Sequence, residues 1–126
     1  MQEIKALVKK ITYKPDIIVG IARGGIIPAV LCAQSMGVKD MYCLKVRREG
    51  TKRKIIADVG TDVRNKKILV VDEMQETGRS MDTIKNYLKK KGAKVKTACP
   101  YIMPHTSPKP DFYLREVKEV QTFLWE

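Results

Sequence analysis

Two adjacent acids, Asp72 and Glu73, directly follow the apolar run Ile68–Val71, and a turn rich in hydroxyl groups comes three residues later. That turn, Thr77-Gly78-Arg79-Ser80, precedes a segment with helical periodicity. The first amides of a helix have no backbone partners and lie at the positive end of its dipole, so such a turn can bind a phosphate group. Gly78 would let the backbone approach the anion closely.

The two carboxylates indicate a ligand that carries more than a phosphate. Next to a phosphate they would repel it, unless they bind sugar hydroxyls, a divalent cation or both. A ribose 5-phosphate that carries Mg²⁺ supplies this set of groups. The alternative is an acidic turn that only caps the helix, but the combination of strand, acids, spacer and turn favours a ligand site.

Hydrophobic periodicity predicts helices and strands in alternation. The predicted helices are Gln2–Ile11, Ile26–Met36 and Met81–Lys91, and the predicted strands are Ile17–Ala22, Met41–Val46, Ile68–Val71, Val95–Tyr101 and a short Gln121–Trp125. Pro100 weakens the fourth strand or places it at an edge. This order predicts an α/β fold with a mainly parallel central sheet flanked by helices. In such sheets ligands bind at the carboxyl ends of the strands, where the turns Arg23-Gly24-Gly25 and Glu76–Ser80 both fall.

Composition limits the class of protein. With 126 residues, 44% hydrophobic and 31% charged, we expect one soluble globular domain. No apolar run approaches the roughly 20 residues needed to cross a bilayer, and charges interrupt the first residues, unlike a signal peptide. Three cysteines without C-x-x-C spacing are expected to be buried free thiols in a reducing cytoplasm. The net charge of +11 would attract nucleic acid, acidic membranes or a polyphosphate ligand; the alternative is that it serves solubility alone.

The segment VVDEMQETGRS, residues 70–80, closely resembles the phosphoribosyl-diphosphate (PRPP) signature of the type I phosphoribosyltransferases. Residues 15–29, PDIIVGIARGGIIPA, resemble the pyrophosphate-binding loop and first crossover helix of that family. Residues 109–126 are similar to the C-terminal hood of small archaeal and bacterial purine (xanthine, guanine, hypoxanthine) members. The resemblance implies a single type I phosphoribosyltransferase domain over residues 1–126, with a core at about 14–101. The hood would comprise about 102–126 and the N-terminal helix.

The resemblance also implies residue roles. Asp72 and Glu73 would hold the ribose hydroxyls, with Mg²⁺ bound directly or through water, and Glu76 would act with them in catalysis. Glu76 stands where purine members carry an Asp that manages the proton on purine N7. The PRPP-binding residues would be Asp72, Glu73, Glu76, Thr77, Gly78, Arg79 and Ser80. The pyrophosphate-binding residues would be Ala22, Arg23, Gly24 and Gly25, with a cis peptide bond at Ala22–Arg23.

The base pocket departs from the family pattern. Met103 aligns with the lysine that reads the purine 6-oxo group, and Val120 aligns with the aromatic residue that stacks on the base. Phe112 or Tyr113 could supply a replacement stack, although packing in the core is an equal alternative.

The charged segment Arg47–Asn65 is a candidate flexible lid over the site. Arg47, Arg48, Lys52 and Arg53 would supply positive charge suited to pyrophosphate. The alternative for this segment is a solvated hairpin.

The function implied by the resemblance is Mg²⁺-dependent transfer of the 5-phosphoribosyl group from PRPP to xanthine, guanine or hypoxanthine in purine salvage. Relatives are commonly dimers or tetramers, so a homo-oligomer is expected, without a membrane partner. Two alternatives stay open. One is a phosphoribosyltransferase for a different base, and the other is a non-catalytic PRPP- or nucleotide-sensing regulator that binds RNA through its basic surface.

Overall fold

The computed structural model describes residues 2–119 and confirms the predicted alternation of strands and helices. The helices are α1 (Gln2–Lys10), α2 (Ile26–Met36) and α3 (Arg79–Lys90). The strands are β1 (Ile17–Ile21), β2 (Asp40–Glu49), β3 (Lys52–Ala57), β4 (Lys67–Val71), β5 (Met74–Gln75), β6 (Lys94–Ile102) and β7 (Phe112–Glu116). The strand predicted at Gln121–Trp125 lies outside the described residues.

Seven strands form one sheet in the order β3-β2-β1-β4-β6-β5, and β7 pairs with β6 on the side away from β4 and β5. Among the described strands, only β2 and β3 pair antiparallel; the other pairs are all parallel. The predicted mainly parallel sheet is therefore confirmed. All five residues of β1 are buried, because this strand lies mid-sheet with side chains packed on both faces.

Helices cover both faces of the sheet, as predicted. On one face, Ile84 and Leu88 of α3 share a core cluster with Ile68 and Val70 of β4. On the other face, α1 and α2 pack against Leu69 and Val71. Alternate side chains of a strand point to opposite faces, so β4 contributes to both layers at once. The carboxyl end of β4 is therefore held firmly between two cores.

Pro100 does not lie in an edge strand, so that part of the prediction was wrong. Strand β6 has partners on both sides. Residue 100 is the position that the pairing skips: the pairs with β4 end at Ala98, those with β5 begin at Tyr101, and β7 pairs with Cys99 and Tyr101. A proline, which has no N–H to donate, fits a gap in the ladder. Strand β7 was not predicted.

The charged segment after residue 46 forms a hairpin. Strand β2 continues to Glu49, turns at Gly50 and returns as β3. This is the hairpin alternative of the sequence analysis, and a lid function for it stays a prediction. The three cysteines are free thiols, as predicted, but only Cys32 and Cys99 are buried, whereas Cys43 is partly exposed. Within residues 2–119, none of the helices has the length and apolar character needed to cross a membrane.

Candidate active site

A cavity of about 460 Å³ opens at the carboxyl edge of the sheet, where β1 and β4 end. It lies between the segment that follows β4, the turn that follows β1 and the hairpin of β2 and β3. The residues that line it are Ile21, Ala22, Gly24, Val46, Arg48, Arg53, Asp72, Glu73, Met74, Gln75, Glu76, Thr77 and Ser80.

Many residues predicted for the site do line this cavity: Ala22, Gly24, Arg48, Arg53, Asp72, Glu73, Glu76, Thr77 and Ser80. Other predicted residues belong to the same segments but are not among its lining: Arg23, Gly25, Arg47, Lys52, Gly78 and Arg79. Val120 lies outside the described residues. The three segments predicted from separate stretches of sequence thus share one cavity, whereas the roles of the individual residues stay predictions.

The carboxylate of Glu73 lies against the backbone of Gly24. A Cβ atom added at Gly24 would lie 2.2 Å from Oε1 of Glu73, so a side chain there would displace this carboxylate from its present position. The adjacent peptide bond between Ala22 and Arg23 is cis, as predicted. The turn after β1 and the acids after β4 are therefore in direct contact.

Asp72 is half-buried and accepts two hydrogen bonds. Its Oδ1 accepts from the backbone N–H of Glu73 at 2.8 Å, and its Oδ2 accepts from Nε2 of Gln75. Burial raises the pKa of Asp72 to about 7; the negative charge of Glu73 acts in the same direction, and the two hydrogen bonds oppose it. The site thus holds a carboxyl group that readily takes up a proton near neutral pH and would be ionised by a bound cation.

At the turn before α3, Gly78 lies against the backbone of the loop that follows β6. Gly78 has φ 89°, and a Cβ atom there would lie 2.8 Å from the carbonyl oxygen of Pro108. No side chain caps the helix at Gly78, although Oγ1 of Thr77 accepts from the N–H of Arg79 at 3.3 Å. The first amides of a helix have no acceptors within the helix, and Thr77 and Ser80 at this end of α3 line the cavity, so an anion bound there stays a prediction.

A buried threonine supports this turn from the loop after β6. The hydroxyl of Thr106 lies 2.8 Å from the carbonyl oxygen of Gln75 and 2.6 Å from that of Glu76, and it accepts from the N–H of Met103. The N–H of Ser107 also donates to the carbonyl oxygen of Thr77 at 2.9 Å. The sequence analysis missed both Gln75 and Thr106. For Thr106, the signal in the sequence was a hydroxyl residue inside the Pro-rich stretch MPHTSPKP.

The residues predicted for the base pocket do not line the cavity. Met103 follows β6 and is half-buried. Phe112 packs against the core cluster beneath α1 and α2, and Tyr113 packs on the opposite face, so both follow the core-packing alternative. None of the described residues that line the cavity is aromatic. The structure therefore shows no replacement stack within residues 2–119.

Comparisons with known proteins relate the chain to one group. The family model described as "Phosphoribosyl transferase domain" matches residues 2–126. The xanthine-guanine phosphoribosyltransferase of Desulfotalea psychrophila is 28% identical over 81% of this chain, and the hypoxanthine-guanine phosphoribosyltransferase of Aquifex aeolicus is 29% identical over 88%. The matches span 63% and 69% of those proteins, so the chain spans less than two thirds of the first relative.

The fold also matches a solved structure. The crystal structure of a purine phosphoribosyltransferase from Pyrococcus horikoshii superimposes with a TM-score of 0.92 at 35% sequence identity. The match covers 99% of this chain and 87% of that one. The predicted type I fold is confirmed by this likeness.

Replacing Thr106 by valine should destabilise the protein, because two carbonyls and one amide lose a buried partner. We expect a loss of about 1–3 kcal/mol in the free energy of unfolding, measured by urea denaturation. Thr12→Val, at an exposed position, is the matched control and should change it by less than about 0.5 kcal/mol. Equal effects of the two substitutions would contradict the supporting role of Thr106.

The pKa of Asp72 predicts a pH dependence of stability in the ligand-free protein. Its folded-state pKa of about 7 exceeds the ordinary 3.8, so between these values the folded state binds more protons, and this group destabilises the fold as pH rises. Asp72→Asn should therefore gain stability relative to the wild type from pH 5 to pH 8 in urea unfolding. For Asp62→Asn, the difference in stability from the wild type should not change between pH 5 and pH 8. The pKa of Asp62 is about 2, so its protonation affects stability only below about pH 4. If the stability of Asp72→Asn relative to the wild type stays constant or falls from pH 5 to pH 8, the raised pKa of Asp72 is refuted.

Proposed function

The chain belongs to the phosphoribosyltransferase family, and we propose that it transfers the 5-phosphoribosyl group of PRPP to a purine base, with release of pyrophosphate. The observation that carries this proposal is the shared cavity at the carboxyl edge of the sheet. It brings together the acids after β4, the turn before α3 and the turn after β1. We take xanthine, guanine and hypoxanthine as the acceptor bases and purine salvage as the role, since the relatives' names refer to such bases.

The two ends of the donor's ribose would meet different walls of the cavity. Asp72 and Glu73 present carboxylate oxygens, which accept hydrogen bonds from the 2- and 3-hydroxyls of a ribose. The turn Glu76–Ser80 presents hydroxyls and helix amides, which suit the 5-phosphate. Acids on the hydroxyl side and amides on the phosphate side would fix the sugar in a single orientation.

The reaction replaces one bond at ribose C1 by another. The bond from C1 to the diphosphate oxygen breaks, and a ring nitrogen of the base forms the new bond while its proton leaves. Negative charge grows on the diphosphate, so donors placed beside it lower the barrier. Ala22 and Gly24 line the cavity, and we propose that their backbone contacts the diphosphate. The fixed geometry of the two substrates would supply much of the remaining rate enhancement.

Magnesium fits this site as an ion that arrives with the donor. No group of three or more His, Cys, Asp or Glu side chains suited to a metal occurs within residues 2–119. Mg²⁺ commonly binds through one or two carboxylates together with substrate phosphates and water, and Asp72 and Glu73 provide such a pair. When bound, the ion would neutralise charge on the diphosphate. Asp72 would then be ionised despite its raised pKa.

We propose that Glu76 handles the proton of the base. It is exposed and lines the cavity, so its carboxylate can reach a bound ligand without rearrangement of the core. Its arm is longer by one methylene than that of the Asp found at this position in purine members. The backbone carbonyl of Glu76 is held by Thr106, which fixes the start of that longer arm.

An apolar helix face supports the proposal of a homo-oligomer, either dimer or tetramer. Helix α2 contains no charged residue, although the chain carries a net charge of +11. Ile27 and Val30 on this helix are 43% and 37% exposed. Contact between two such uncharged faces would avoid repulsion between two basic chains.

A panel of nucleobases with PRPP and Mg²⁺, read by pyrophosphate release and by nucleotide formation, tests the proposed reaction. Xanthine, guanine or hypoxanthine should give nucleotide, and another base as the sole acceptor would favour the different-base alternative. Asp72→Asn should reduce turnover by at least about 100-fold, a loss of about 2.7 kcal/mol in transition-state stabilisation. Asp82→Asn, in the first turn of α3 and outside the cavity lining, is the matched control. Nucleotide formation with none of the bases would refute the proposal.

A second candidate function, RNA binding, is favoured by one observation at the opposite edge of the sheet. Exposed lysines lie there, before the strands begin or at their first residues: Lys14, Lys39, Lys66, Lys67 and Lys94. Lys67 and Lys94 are direct neighbours in the pairing of β4 and β6. Such a row could contact successive phosphates of a single strand while the cavity binds PRPP or a nucleotide.

This second function predicts a steep salt dependence for binding of a single-stranded RNA oligonucleotide. The slope of log K against log salt should fall by about 0.7 for each lost phosphate contact. Replacing both Lys67 and Lys94 by Gln should therefore make this slope less steep than replacing both Lys5 and Lys9 does. Lys5 and Lys9 are exposed lysines of α1 and control for net charge. Absent or salt-insensitive binding would rule the second function out.

A further inference from the structure

Gln75 is a polar residue in a buried position that also reaches the cavity. It is 4% exposed, and within residues 2–119 the other buried polar residues are Thr97 and Thr106. Neither threonine is among the residues that line the cavity, whereas Gln75 is. Burying an amide costs free energy unless its hydrogen bonds are satisfied, so an apolar side chain would suit this position better if packing were its only task. The contacts of the amide therefore indicate its role.

The backbone of Gln75 is held by two neighbouring segments. Gln75 is the second residue of β5, where it pairs with Ile102 of β6. Its carbonyl oxygen lies 2.8 Å from the hydroxyl of Thr106, in the loop that follows β6. The side chain thus starts from a defined position and reaches back to Asp72, three residues earlier in the chain.

The two oxygens of Asp72 accept from different donors. Nε2 of Gln75 donates to Oδ2, and the backbone N–H of Glu73 donates to Oδ1 at 2.8 Å. An ionised carboxylate only accepts hydrogen bonds, so the NH₂ end of the amide is the end that faces it. The same Nε2 also donates to the carbonyl oxygen of Met74 at 3.3 Å. Donors on both oxygens fix the plane of the carboxylate.

The carboxylate held in this way keeps acceptor positions for a ligand. Each oxygen of an ionised carboxylate has two lone pairs, so one on Oδ1 and one on Oδ2 remain after the bonds from Glu73 and Gln75. Asp72 lines the cavity, and the hydroxyls of a bound sugar are donors that can use these positions. Without the amide, Oδ2 loses its donor and the carboxylate is freer to rotate about its Cβ–Cγ bond.

We propose that Gln75 is a positioning residue, whose amide holds the carboxylate of Asp72 in the orientation that receives hydroxyls of a bound ribose. The identity of that ribose as part of PRPP rests on the proposed function. The role of Gln75 itself requires only a sugar hydroxyl on Asp72. Thr106 differs from Gln75 in this respect, because its hydroxyl contacts backbone carbonyls of the turn and not a side chain of the cavity.

Gln75→Met separates positioning from packing, because methionine is similar in length and flexibility but has no N–H donor. NMR titration of the full chain with ribose 5-phosphate, at pH 9 and without Mg²⁺, compares hydrogen bonding to the sugar with no metal bound. The pKa of Asp72 is about 7, so its carboxylate is ionised in the wild type at that pH. The Kd should rise at least about fivefold in Gln75→Met. The midpoint of urea unfolding should stay the same or rise, since an apolar side chain replaces a buried amide.

Two controls show whether the effect passes through Asp72. In the Asp72→Ala background, Gln75→Met should change the Kd less than about twofold, because the carboxylate that Gln75 holds is absent. Thr97→Val removes another buried polar group, whose hydroxyl is bonded to Asp111 outside the cavity lining. This variant should lower the unfolding midpoint and change the Kd less than about twofold. A purely structural role for Gln75 would give the same pattern as Thr97→Val.

Several results would overturn the role of Gln75. These are an absence of ribose 5-phosphate binding to the wild type, an unchanged Kd in Gln75→Met, or an equal rise in Kd with and without the Asp72 carboxylate. If Gln75→Met does not fold, Gln75→Leu provides the same comparison, and failure of both to fold would assign Gln75 to the fold alone. Nucleotide formation with an unchanged Kd in Gln75→Met would remove this role and leave the proposed function standing. A raised Kd that depends on Asp72, without nucleotide formation from any base, would do the reverse.

Discussion

The contact between the carboxylate of Glu73 and the backbone of Gly24 joins the two halves of the site. One half follows β4, and the other follows β1, its neighbour in the sheet. Because β4 packs into both cores, the acids at its end have little freedom to move away from the turn. A side chain at position 24 would displace the carboxylate of Glu73 and break this contact. The remaining features of the site are arranged around that contact.

Charge in the cavity is divided between its walls. Asp72, Glu73 and Glu76 lie on the side of β4, and Arg48 and Arg53 lie on the hairpin. Burial raises the pKa of Asp72 to about 7, which limits the negative charge held in the absence of a ligand. A ligand with hydroxyls or a cation at one end and a diphosphate at the other complements both walls. PRPP with Mg²⁺ has this distribution of groups, so a single ligand accounts for both the acids and the arginines.

Local patterns were sufficient to predict β1, β2, β4 and β6 of the sheet, all three helices and the segments that form the cavity. The turn at Gly78 and the acids at 72 and 73 are visible because a strand, a turn and a helix follow one another within a few residues. Thr106 was missed because its hydroxyl contacts a turn 30 residues away in sequence. Gln75 was missed because its hydrogen bond to Asp72, only three residues away, depends on how the chain turns after β4. Strand β7 was missed because it is recognised by its pairing with β6, which the local sequence does not show. The separation of Arg48 and Arg53 from Arg47 and Lys52 required the register of the hairpin, and the core packing of Phe112 required the sheet order.

The central claim is that the carboxyl edge of this sheet binds a ribose phosphate donor with its hydroxyls on the acids and its 5-phosphate on the turn before α3. A crystal structure of the chain with PRPP and Mg²⁺ tests it most directly. The account predicts ribose hydroxyls within hydrogen-bond distance of Asp72 and Glu73, and the 5-phosphate on the amides of Gly78–Ser80. A donor bound with its 5-phosphate elsewhere, or a cavity left empty at saturating donor, would contradict it.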